Sequence, residues 1–314
     1  MVSCGVLRSW LTLLFLLGLL LSACATTLLR GAAQNAQQAY DVAMEDLDDG
    51  LFPEAIAGFS EVKAKYPYSQ YVALADLRIA DMHFARGKFI EAIDAYRVFL
   101  KLHPSHAEAA YAMFRIAEAN FEQIPEDWWF LPPSAEKDQG NTRLAISAYR
   151  DLVARFPNLE HSDKGKARLA TCREKIETPV ADTNDVERES CRVALAQQQL
   201  IVDAVARLDE CRRKLADHEI YVARFYFGRR QYVAAATRAD ALLRDYTGLG
   251  LDAAALLLSA RSRLQLGEDQ VARENLQRLT KDFSDAEEAE DAQELLRQLG
   301  VESAAVVPPQ VQGT

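Results

Sequence analysis

A block of small, aromatic and apolar positions returns along the chain at an interval of 37 residues. Gly50-Leu-Phe-Pro-Glu-Ala55-Ile-Ala-Gly-Phe59, closing at Tyr66-Pro67, comes back as Gly87-Lys-Phe-Ile-Glu-Ala92-Ile-Asp-Ala-Tyr96, closing at His103-Pro104. It returns again at Gly140 through Ala145 and Tyr149 with Phe156-Pro157, more weakly around Tyr232 and Ala235, and from Gly267 through Ala272. A fixed period of this length marks stacked helical repeats. Each position has a mechanical reading: Gly ends a first helix, the small Ala lets two helices approach, the aromatic fills the gap to the next repeat, and Pro stops the second helix. First helices carry matching pairs at Val42-Ala43, Ile79-Ala80, Ile116-Ala117 and Val222-Ala223. The expected fold is all-α, a right-handed α-solenoid of about five tetratricopeptide-like helix-turn-helix repeats.

Two stretches interrupt the period. Ile124 to Gly140 carries three prolines with Trp128, Trp129 and Phe130, and displaces the halves of repeat three by 16 residues. Its aromatics either anchor a partner or staple the loop to its own repeats, and the staple is the preferred reading. Further on, Arg168-Leu-Ala-Thr-Cys172-Arg-Glu-Lys-Ile176 is echoed by Arg207-Leu-Asp-Glu-Cys211-Arg-Arg-Lys-Leu215. Pro179 and a polar run separate two helices here, the second continuing from Val186 to Gly228 with Ile201, Leu208 and Leu215 as its seam. That helix either packs along the repeats or projects as an arm.

The N-terminus has a different pattern. Arg8, an apolar run from Trp10 to Leu21 and the small pair Ser22-Ala23 have the layout of a secretory signal peptide. Twelve helical residues rise only about 18 Å, short of a bilayer's hydrocarbon core. Leu21-Ser-Ala-Cys24 resembles the bacterial lipobox, which implies cleavage between Ala23 and Cys24 and acylation of Cys24. Several acyl chains make such an anchor effectively permanent. Ala25, where an Asp implies inner-membrane retention, points to the outer membrane at its periplasmic face.

The expected organisation is therefore a signal peptide (1–23), an acylated linker (24–33), N-terminal repeats with the first helix of repeat three (34–124) and an aromatic loop (125–140). The rest of repeat three (141–176), a duplicated helical insertion (177–215), C-terminal repeats (216–299) and a disordered tail (300–314) complete it.

Composition narrows the function. With 314 residues, 49% apolar and 26% charged, the chain builds a substantial core, and its net charge of −10 argues against nucleic acid as partner. His83, His103, His106, His161 and His218 are scattered, Pro104 keeps His103 and His106 off one regular helix face, and there is no metal-ligand spacing, Gly-rich phosphate loop or nucleophile elbow. No catalytic residue, metal or cofactor is indicated. After processing, Cys172, Cys191 and Cys211 remain beside Cys24. At most one pair forms among them; Cys172 with Cys211 is one option, and buried small side chains without a bond the other.

Beyond the lipobox, Tyr66-Pro-Tyr-Ser-Gln-Tyr71, Glu136-Lys-Asp-Gln139, Leu215-Ala-Asp-His-Glu-Ile-Tyr-Val-Ala-Arg-Phe-Tyr-Phe227 and Tyr232-Val-Ala-Ala-Ala-Thr-Arg238 resemble the BamD (ComL-type) lipoprotein family from about Gln38 to Phe283. The resemblance implies a non-enzymatic subunit of the outer-membrane β-barrel assembly machinery. Its implied partners are a BamA-type barrel protein with POTRA domains, other lipoproteins of the complex, and the C-terminal segments of unfolded outer-membrane proteins. It places POTRA contacts at Arg238, Tyr221 and Tyr226, and a groove for the substrate peptide around Tyr66, Tyr68, Tyr71, Phe84 and Phe89. Those groove aromatics also occupy core positions of the repeats. The duplicated segment near Cys191 departs from the family pattern. The alternative is a periplasmic repeat scaffold that organises cell-wall or division enzymes.

Overall fold

The structure, a computed structural model, describes residues 35–126, 133–177 and 185–305. Cys24 with the expected signal peptide (1–23), and Trp128, Trp129 and Phe130, lie outside the described residues. Twelve α-helices are present among those described: α1 (Ala36–Asp48), α2 (Phe52–Lys65), α3 (Tyr71–Ala85), α4 (Phe89–Leu102), α5 (Ala109–Phe121), α6 (Gly140–Arg155), α7 (Asp163–Glu177), α8 (Asp185–Gly228), α9 (Tyr232–Asp245), α10 (Asp252–Gln265), α11 (Asp269–Asp282) and α12 (Glu288–Ala305). None is long and apolar enough to cross a membrane. The chain divides into two compact units between Met82 and His83.

In the first unit, Asn35 caps α1 by accepting a hydrogen bond from the Gln38 amide at 2.9 Å. Gly50, with φ of 75°, ends that helix, and Pro53 lies in the first turn of α2. Ala43 and Gly58 bring α1 and α2 together: a Cβ on Gly58 would lie 2.8 Å from that of Ala43. Phe59, Val62 and Met82 fill the space this close approach creates.

The second unit is a stack in which α4 packs on α5, α5 on α6, α6 on α8, α8 on α9, and so on to α12. Helix α7 stands outside this succession, packed against α8 and a 3-10 turn at Leu159–His161. Only Gly165, Leu169 and Cys172 of α7 are buried.

Helix α8 is one continuous element of 44 residues, about 66 Å long, and crosses residue 215 without a break. Ile201 and Leu215 are buried and Leu208 packs beside them against α5 and α6, so the expected seam is real and that stretch of the helix lies along repeat three.

Three expectations change. The disulfide joins Cys172 to Cys191, with Cα atoms 4.9 Å apart, and Cys211 is free and buried. Cys191 and Cys211 are twenty residues apart on one helix, about 30 Å along its axis, so a single Cys172 cannot serve both. Gly140 does not end a helix; it opens α6, whose N-cap is Gln139. The insertion has taken the turn position over, and the match of Gly140 to Gly50 and Gly87 is one of spacing alone. Finally, α12 continues to Ala305, past the point where the sequence reads as a tail.

Candidate partner-binding surface

The stretch from Leu215 to Phe227 forms the last turns of α8, and its successive side chains face different neighbours. His218 Nδ1 lies 2.6 Å from the carbonyl oxygen of Ala135. One turn on, the Tyr221 hydroxyl bonds to Glu136; desolvation, then that carboxylate, raise it above the ordinary phenol value. Both side chains thus hold the 3-10 turn Ser134–Glu136 that closes the inserted loop.

The loop end is tied internally as well. The buried Gln139 donates to the carbonyls of Ser134 and Lys137 at 2.8 and 3.0 Å and accepts from Thr142 at 3.0 Å. Lys137 reaches the carbonyl of Glu126 at 3.0 Å. Two motifs some eighty residues apart in sequence are therefore the two sides of one contact.

Glu219 faces the other way, toward α9. There Arg238 Nη1 donates to its two carboxylate oxygens at 2.9 and 3.3 Å. The Glu219 side chain is 13% exposed and that of Arg238 45%. Among the described residues only Nη1 of Arg238 is engaged, which leaves its other donors for an incoming acceptor. Tyr226 is half-buried beside Phe225, with ring centroids 5.8 Å apart, and the exposed Phe225 ring carries the Arg229 guanidinium at 4.9 Å. Of the three expected contact residues, Arg238 and Tyr226 are accessible, while Tyr221 is occupied with the loop.

The groove aromatics differ in the same way. In the first unit Tyr66 and Tyr71 pack into the core, Tyr71 against Tyr40 at 5.4 Å, whereas Tyr68 is fully exposed. In the second, Phe84 and Phe89 meet edge to face at 5.3 Å, and the Arg115 guanidinium sits 3.5 Å above Phe84.

Sequence reasoning passed over a polar cluster under α8. Tyr149 of α6 donates a hydrogen bond to Glu118 of α5, and Arg207 Nε of α8 lies 3.5 Å from the same carboxylate oxygen. The Arg207 guanidinium also covers the Phe121 ring at 4.3 Å. Burial, then Glu118, hold the Tyr149 hydroxyl far above its ordinary value, and burial pushes the neighbouring Cys211 thiol up to about 12. The signal was present as a Glu beside Ala117 at an inward position. No group of three or more His, Cys, Asp or Glu able to hold a metal exists among the described residues.

All-α repeat packing, an interrupted third repeat and a long bridging helix are the frame in which the comparisons with known proteins fall. The chain matches the family YfiO, outer membrane lipoprotein, over residues 32–184 and 197–279. It belongs to that family. The match breaks over 185–196, the first turns of α8, where Cys191 lies. It is similar to the outer membrane protein assembly factor BamD of Caulobacter vibrioides, 25% identical over 84% of this chain and 72% of that one. It is likewise similar to the assembly factor of the same name from Neisseria meningitidis, 25% identical over 85% of this chain and 88% of its relative. Among solved structures, a tetratricopeptide repeat protein from Parabacteroides merdae aligns with 84% of this chain and 98% of its own at 14% identity and a TM-score of 0.30. The fold assignment rests on the helices themselves.

Proposed function

We propose that this chain is a non-enzymatic subunit of the outer-membrane β-barrel assembly complex, held at the periplasmic face of the outer membrane by an acylated Cys24. Its C-terminal repeats bind a POTRA domain of a BamA-type core protein, and its N-terminal repeats receive the C-terminal segments of unfolded barrel proteins. The observation that carries this reading is similarity over more than four-fifths of the chain to proteins named as outer membrane protein assembly factors.

The chemistry required is binding and positioning. Arg238, already oriented by Glu219, offers a second carboxylate its remaining N–H groups without losing the first, and charge-assisted pairs of this kind are the strong ones. Tyr226 and the exposed Phe225 supply apolar surface on the preceding helix, as the centre of a protein interface requires. In the first unit the exposed Tyr68, and in the second Phe84 with Phe89, are each suited to contact an aromatic peptide terminus.

The test is affinity purification of the tagged full-length protein from its host in mild detergent, with mass spectrometry of what accompanies it. Recovery of a POTRA-containing barrel protein supports the reading, and recovery of cell-wall or division enzymes alone replaces it with a periplasmic scaffold. Cys24→Ala is expected to abolish lipid labelling and move the protein to the soluble periplasmic fraction; unchanged labelling contradicts the anchor.

A further inference from the structure

A second cationic feature lies between α6, α8 and the end of α9. Arg143, Ser147 and Arg150 project from one face of α6, Arg212 and Leu215 from α8, and Tyr246 follows α9. Together they line a pocket of about 340 Å³. Ile146 and Leu215 are buried in its wall, and Asp151 lies at its edge.

The charge balance of this pocket is unlike that of the surface around it. The chain has 46 acidic residues against 36 basic ones, and most arginines nearby have a carboxylate: Arg207 with Glu210, Arg213 with Asp217, Arg238 with Glu219, Arg244 with Asp245. Arg143 and Arg150 are exposed and have no acidic partner among the described residues. Among the described residues Arg212 pairs with Asp209 at 3.4 Å. Asp151 is thus the one carboxylate in the pocket lining beside three guanidiniums, with Asp209 paired to Arg212 outside it. Tyr246, half-buried among them, keeps its proton at neutral pH, because burial, then Glu219 and Asp245, raise its hydroxyl more than Arg143 and Arg150 lower it. It adds an O–H donor to the guanidinium forks.

We infer that this pocket receives an acidic side chain of a protein segment, with Arg143, Arg150 and Arg212 pairing to the carboxylate and the Ile146 and Leu215 wall taking the adjoining apolar residue. Planar guanidiniums match carboxylate geometry with paired hydrogen bonds. The concavity admits a single side chain rather than a lipid surface, and a chain of net charge −10 is repelled by an anionic bilayer. Glu219 is the link to the proposed partner surface, since it pairs with Arg238 and also acts on Tyr246. The identity of the bound segment as part of an assembly-complex protein rests on the reading above; the specificity for a carboxylate does not.

The experiment titrates the full-length chain in mild detergent with a short fluorescent peptide of alternating glutamate and phenylalanine, and with the same peptide carrying glutamine. The glutamate peptide is expected to bind at least tenfold more tightly. The Arg143→Gln/Arg150→Gln protein is expected to lose that tenfold while its circular dichroism and Tm stay in place. Arg143→Lys/Arg150→Lys, which keeps the charge and loses the fork, is expected to fall between, and serves in place of the glutamine variant should that one not fold. Equal binding of the two peptides, or unchanged binding by the variants, overturns the inference. So does displacement of the peptide by inorganic phosphate but not by acetate. Failure to recover a POTRA protein from the host would sink the proposed function and leave these peptide results standing.

Discussion

Arg207, on the long helix α8, holds its Nε 3.5 Å from the carboxylate of Glu118 on α5, which in turn accepts the hydroxyl of Tyr149 on α6. Three helices meet on one buried acid. Glu118 is 9% exposed, so removing Arg207 leaves a buried carboxylate with only the Tyr149 hydroxyl to offset its desolvation. Arg207 itself is 38% exposed in its side chain, which screens part of the loss. Arg207→Ala is expected to lower stability by about 2 kcal/mol in urea unfolding. Combined with Glu118→Gln, the loss is expected to be less than additive; strict additivity would show that the pair is not coupled.

The same junction sets an alkaline limit. Cys211 titrates at about 12 when folded against a usual value near 9, and Tyr149 is raised in the same direction. A raised acid contributes stability that is complete below its unfolded value and is lost as pH rises toward the folded one. Stability is therefore expected to fall between about pH 9 and 12. Cys211→Ala and Tyr149→Phe should each flatten that fall in denaturant titrations at several pH values, and an unchanged slope would contradict the assignment.

Helix α7 depends on its disulfide. It buries three residues, and Cys172–Cys191 closes a separation of 19 residues, for which chain entropy gives about 3 kcal/mol. Reduction is expected to make Asp163–Glu177 the first site of limited proteolysis while repeats elsewhere stay protected. Thiol counting on the denatured, unreduced mature chain should find one free group, Cys211, which lies about 30 Å along the helix from Cys191, too far for exchange within the fold.

Arg230 takes the turn that glycine takes elsewhere. Its φ is 59°, against 75°, 69° and 74° at Gly50, Gly87 and Gly267, and each of the four stands five residues before the repeat alanine. A side chain in this left-handed region costs about 1 kcal/mol relative to glycine. Arg230→Gly is expected to raise Tm by a few degrees; a fall would show that the Arg230 side chain makes up for its backbone.

Much of the fold was legible because the repeat period is a property of the chain alone. Ala55, Ala92, Ala235 and Ala272 all sit at close helix contacts, and all four are fully buried. The continuity of α8 was legible for the same reason, from Ile201, Leu208 and Leu215. What escaped depends on which residues meet across helices. Glu118 and Arg207 are 89 positions apart, and nothing in either segment announces the other. Cys172 and Cys211 occupy matching places in the duplicated sequence, which drew attention to the wrong pair, since the bond follows the α7–α8 hairpin and not the duplication. For the candidate site, Arg238 was assigned through family resemblance; its Glu219 partner, on the preceding helix, was visible only in three dimensions.

The measurement that bears most directly on the proposed role is the affinity of the purified full-length chain for the POTRA-containing protein of its own host, compared with that of Arg238→Ala. Saturable binding by the unmodified chain, weakened about tenfold by the substitution with the fold intact, is the expected result. Absence of binding, or binding that Arg238→Ala leaves unchanged, would contradict the role assigned to this surface.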